Sequence, residues 1–148
     1  MFIACNHIKE NYYNAVQMCR FVSNLYMNKL IRSFGFAFKG LKYALATQQN
    51  FRIHVVAACI ASVLGYFLHL STDEWQWVML CIMLVLVTEL INTGIEALTD
   101  LVSPGYNKLA GHVKDICAAA VLLTAFFALI TGAIIFIPKI ILLLKHAA

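Results

Sequence analysis

Three long apolar runs, about residues 53–70, 75–98 and 115–137, alternate with short polar connectors. Each is close to the roughly 20 residues that an α-helix needs to cross a bilayer, so the pattern predicts three membrane-spanning helices. Ahead of them, over about 29–48, the periodicity changes. Leu30, Ile31, Phe34, Phe38, Leu41 and Leu45 fall within about 100° of helical arc, and Lys29, Arg32, Lys39 and Lys42 occupy an adjacent sector. Such a helix lies in the membrane interface. Its basic face either rests on anionic headgroups or also meets a phosphate-bearing substrate. Residues 1–28 are the most polar and the most weakly patterned, and read as an N-terminal extension, either a tail or a surface helix. The expected fold class is an all-α membrane protein, with an amphipathic surface helix and three transmembrane helices in a domain over 29–148.

Composition agrees. With 62% hydrophobic and 12% charged residues and a mean hydropathy of +0.81, the chain is too apolar for an ordinary soluble domain. At 148 residues one chain hardly encloses a water-filled catalytic cavity, so oligomerisation is expected. Lys29, Arg32, Lys39, Lys42 and Arg52 precede the first span. The connector at 71–74 has no Lys or Arg, and the one at 101–115 carries Lys108 and Lys114. The positive-inside rule then places the N-terminus on the cytoplasmic side, with Lys139 and Lys145 falling against the rule. The net charge of +4 belongs to these flanks and is not interleaved with stacking aromatics, so nucleic acid is not an expected partner. The five cysteines lack metal-ligand spacing and read as free thiols. Phe2 to Cys5 faintly resembles a lipoprotein cleavage box, but no apolar region precedes it, so processing there is not expected. Ser71 with Asp73 and Glu74 reads as a helix N-cap, Trp75 and Trp77 as an interfacial belt, and Ser103-Pro104-Gly105 as a turn.

The second span carries the chemistry. Glu89, Asn92, Glu96 and Asp100 interrupt its apolar end. At about 100° per residue they form one polar stripe down one helix face. A charged side chain in hydrocarbon costs about 2.5–3.5 kcal/mol even on the mildest scale, so such residues are functional candidates by default. At the mouth of the first span, a headgroup anchor explains Arg52, whereas a buried His54 needs a hydrogen-bond partner. Lys114 and Asp115 at the start of the third span are either a self-neutralising anchor or, across a hairpin from Glu89, Asn92 and Glu96, part of an active site. Carboxylates, an amide and a lysine beside a turn suit phosphoryl transfer best. That reaction uses magnesium on one or two carboxylates plus substrate phosphates, a cation on phosphate oxygens, and a carboxylate to take the proton of the attacking hydroxyl. Glu89 and Glu96 lie about 10 Å apart along a helix and do not readily hold one ion by themselves. Two roles follow: the shallower Glu96 for metal, the deeper Glu89 for a lipid hydroxyl.

The stretches ELINTGIEALTD at 89–100, YNKLAGHVKD at 106–115 and AAAV at 118–121 together resemble the prokaryotic diacylglycerol kinase and undecaprenol kinase family. The likeness runs from about Leu30 to Ile137. It implies a homotrimer of three-span protomers in a bacterial-type inner membrane, with active sites shared between subunits and ATP with Mg2+ bound on the cytoplasmic side. By this resemblance Glu89 is the general base with Asn92 supporting the reacting groups, and Glu96 is a metal ligand. Lys114 and Asp115 contact the nucleotide, with Gly105, Tyr106 and Asn107 forming the turn around it and Lys29 a further nucleotide contact. Lys39, Arg52, His54 and Asp100 are candidate support or substrate contacts. One position departs from the family pattern: members typically have a glutamate three residues before the Phe of Asn-Phe-Arg, where it helps to hold magnesium, and this chain has Gln48. An amide oxygen ligates magnesium without adding charge, so either metal affinity falls or a carboxylate such as Asp100 compensates. The segment NFRIH at 50–54 looks more like the undecaprenol branch, although both branches use a lipid hydroxyl. Two alternatives stay open. One is a catalytically silent lipid-binding homologue, motivated by Gln48; the other is a small proton-coupled transporter using Glu89, which ATP binding would discriminate.

Overall fold

The computed structural model describes Met18, Met27 and residues 29–147; apart from those two methionines, the N-terminal extension expected over 1–28 lies outside the described residues. Within the described residues 29–147 run four helices: α1 over 29–47, α2 over Gln49–Phe67, α3 over Thr72–Val102 and α4 over Lys108–Ala147. The chain divides into two compact units, Met1–Tyr43 and Ala44–Ala148. In the first, Leu30, Ile31, Phe34 and Phe38 are exposed, and the Lys39 ammonium lies 5.6 Å from the centre of the Phe36 ring.

The second unit is organised on α3, which packs against both α2 and α4. Val78, Cys81 and Val85 are buried at the i, i+3, i+7 spacing of one helix face, and Glu89 and Asn92 continue that same face and are buried too. The seam that holds the helices together is therefore apolar along half of its length and polar along the rest. Near the change, Thr88 Oγ1 and Thr124 Oγ1 lie 3.0 Å apart and link α3 to α4. α2, α3 and α4 are each long and apolar enough to cross a membrane.

The helix ends differ from the apolar runs for identifiable reasons. α3 begins with the expected cap: the Ser71 side chain accepts from the Glu74 amide at 3.3 Å, and the Glu74 carboxylate accepts from the Ser71 amide at 2.6 Å. α2 stops at Phe67, before the apolar run ends, because His69 takes a left-handed φ of 50°. The Leu70 amide then donates to Gly65 O at 3.1 Å and the His69 amide to Tyr66 O at 3.2 Å, the bond pair that closes a Schellman turn. The turn brings Trp75 over Gly65, where an added Cβ would stand 3.0 Å from Cη2 and 3.1 Å from Cζ2 of its ring. Gly65→Val is accordingly expected to destabilise the unit by about 1–3 kcal/mol through overpacking, read as a lower melting temperature; an unchanged melting temperature would show that Trp75 moves aside freely.

α4 continues well past the expected end at 137, through Pro138, as membrane helices permit. Its extra turns carry Lys139 to Glu74, 3.0 Å away. A lysine that contradicts the charge rule in the sequence is thus neutralised in place. At the opposite end of the bundle the Asn107 side chain caps α4, accepting from the Leu109 amide at 2.9 Å. Cys59, Cys81 and Cys117 are free thiols; Cys5 and Cys19 lie outside the described residues.

Candidate active site

Glu89 is 1% exposed, the largest side chain buried this completely among the described residues. Its main-chain oxygen accepts from Thr93 Oγ1 at 2.9 Å, but its carboxylate Oε2 has no hydrogen-bond partner, and neither has Oδ1 of Asn92 one turn away. An acceptor left unpaired in a buried site costs roughly 1–3 kcal/mol, more for a charged group, and calls for an explanation in ligand or function.

Two turns along α3, Glu96 is bracketed by amides. Asn92 Nδ2 donates to its Oε1 at 3.0 Å, and Gln48 Nε2 donates to its Oε2 at 3.2 Å. The second bond spans 48 residues of sequence and ties the start of α2 to α3. Asp100, a further turn on, forms an ion pair with Lys114 of α4. Along α3 the stripe thus carries two separate sets of contacts, Gln48 and Asn92 on Glu96 and Lys114 on Asp100, with the buried Glu89 two turns before Glu96.

Other candidates stand apart from these contacts. Arg52, Gly105, Tyr106 and Asp115 are exposed, Tyr106 completely so. Asn107 serves as the cap of α4. Lys29 and Lys39 belong to the first unit and are exposed. Three features are missing from the sequence reading: Gln48 as a donor to Glu96, the Thr88–Thr124 pair, and the Asn107 cap. The last had a signal, an Asn immediately before a helical pattern.

A cavity of about 440 Å³ runs between α2, α3 and α4, from the level of His54 and Leu86 to that of Leu64, Val78 and Phe136, and its walls are mostly apolar. Among the described residues no group of three His, Cys, Asp or Glu side chains converges as a metal cage. The hard carboxylate oxygens of Glu96, held in place by the two amides, fit magnesium bound in its usual manner, through one or two carboxylates with substrate phosphates completing the shell.

Comparison with known proteins agrees with this class of site. A family model described as prokaryotic diacylglycerol kinase matches residues 35–136. The chain is 36% identical over 114 residues to the undecaprenol kinase of Bacillus subtilis, covering 77% of this chain and 93% of that protein. It is 39% identical over 116 residues to a diacylglycerol kinase of Synechocystis, covering 78% of this chain and 66% of the relative. It is 33% identical over 107 residues to the diacylglycerol kinase of Escherichia coli, covering 72% and 88%. The three apolar helices are long enough to cross a membrane, and the matched family and its named relatives make this a membrane enzyme, a lipid kinase. The chain belongs to the prokaryotic diacylglycerol kinase family.

Proposed function

We propose that this protein is an ATP- and magnesium-dependent lipid kinase that transfers the γ-phosphate of ATP to the hydroxyl of a membrane lipid, undecaprenol or diacylglycerol, in lipid recycling. The observation that carries this reading is the fully buried carboxylate of Glu89, whose Oε2 has no partner. A lipid alcohol supplies the missing proton donor. Glu89 takes that proton as the hydroxyl oxygen attacks the γ-phosphorus; a new P–O bond forms, the bond to the bridging oxygen of ADP breaks, and ADP leaves. Asn92 orients the reacting groups through its free Oδ1. Lys114 faces the phosphates, and Asp115, Gly105, Tyr106 and Asn107 belong to the nucleotide region. Magnesium, held by Glu96 with the ATP phosphates, would neutralise charge on them when bound. The apolar cavity leading away from His54 gives room for the acceptor's hydrocarbon.

The exposed state of Tyr106 and Asp115 in a single chain supports a site completed by a neighbouring subunit of a homotrimer. The basic residues before the first span support a cytoplasmic N-terminus and site in a plasma membrane of bacterial type, with α1 on the interface. Relatives named for both alcohols support a lipid acceptor, and the segment at 50–54 favours undecaprenol. Incubation of the purified protein with γ-labelled ATP, magnesium and an extracted lipid pool is expected to yield labelled lipid phosphate. ATP binding without any labelled lipid would instead support the silent homologue, and no ATP binding at all the transporter.

A further inference from the structure

Gln48 occupies the break between α1 and α2, with an extended backbone at φ −103° and ψ 115°. Its side chain makes no cap bond to α2, which frees it to reach α3. The residue is held from both sides: Ala44 and Phe51 are buried, and the Gln48 amide donates to Ala44 O at 2.9 Å. From this fixed position Nε2 reaches Glu96 Oε2 at 3.2 Å, while Asn92 takes the other oxygen. Both carboxylate oxygens are thus paired by neutral donors, the arrangement that makes a charge in apolar surroundings tolerable.

We propose that Gln48 is an amide latch: it positions Glu96 and fastens α2 to α3 in the absence of metal, so that the stability of this protein is independent of magnesium. The proposal rests on the reading of Glu96 as the metal-binding carboxylate. A glutamate at position 48 would face Glu96 across the same gap as a like charge, and the junction would then be held by a cation between the two. With glutamine no cation is required. The chain accepts a metal site of lower charge and gains a junction that is assembled before metal and nucleotide arrive.

Thermal unfolding of the full-length protein in membrane-mimetic discs, without ATP, tests this. The native protein is expected to melt at the same temperature in EDTA and in millimolar magnesium. Gln48→Glu should melt about 3–8 °C lower in EDTA and recover in magnesium, and Gln48→Met, which removes the donor without adding charge, should melt lower in both. If Gln48→Met melts with the native protein in EDTA, or if magnesium raises the native melting temperature as much as it raises that of Gln48→Glu, the latch is overturned. Phosphate transfer measured on the same samples separates the two ideas. The expected melting pattern without transfer leaves the latch standing and removes the kinase reading; transfer with all three proteins melting alike does the reverse.

Discussion

Glu89→Gln is expected to lower turnover by about 10² to 10⁴, the range for removal of a general base, while leaving the KM for ATP nearly unchanged. The substitution keeps the shape of the side chain and removes a charge from a fully buried position. A charge in hydrocarbon is costly, so the variant should be at least as stable as the native protein. Loss of turnover with intact or raised melting temperature then reports chemistry and not unfolding. The nucleotide is not expected to notice, because Glu89 lies about 10 Å along α3 from Glu96. Turnover within about threefold of native would remove Glu89 from the role of base.

The second large effect concerns how sites are shared. Lys114 stands on α4, paired with Asp100, whereas Glu89 and Asn92 are buried on α3 and Glu96, half-buried, lies one turn beyond Asn92. If Lys114 of one protomer serves the carboxylates of its neighbour, Glu89→Gln and Lys114→Met proteins, each inactive alone, should regain activity when mixed. In randomly mixed symmetric oligomers about a quarter of composite sites are intact, which sets the expected ceiling on recovery. Mixed oligomers that form and stay inactive would show that each protomer builds its site alone.

Much of this arrangement is legible in the sequence, because its causes are local. The stripe of Glu89, Asn92, Glu96 and Asp100 follows from helical periodicity on an apolar background, and the Ser71 cap follows from its Glu74 partner three residues on. What the sequence hides depends on distant residues or on backbone conformation. Leu70 belongs to the apolar run of α2, yet it lies beyond the helix, since His69 adopts a conformation that side-chain hydropathy does not encode. The continuation of α4 past Pro138 brings Lys139 to Glu74 from far along the chain. Gln48 is the instructive case: its departure from the family pattern is visible in sequence, but its bond to Glu96 is not, because nothing local tells whether an amide offers its oxygen or its nitrogen.

The most direct measurement is made on the purified protein in vesicles containing either undecaprenol or diacylglycerol, supplied with ATP and magnesium, with the lipids and nucleotides recovered and weighed by mass spectrometry. A lipid heavier by one phosphate group is expected, formed in equal amount to ADP and absent with Glu89→Gln. ATP consumed without any phosphorylated lipid, or neither alcohol converted by protein that binds ATP, would contradict the assignment of this chain as a lipid kinase.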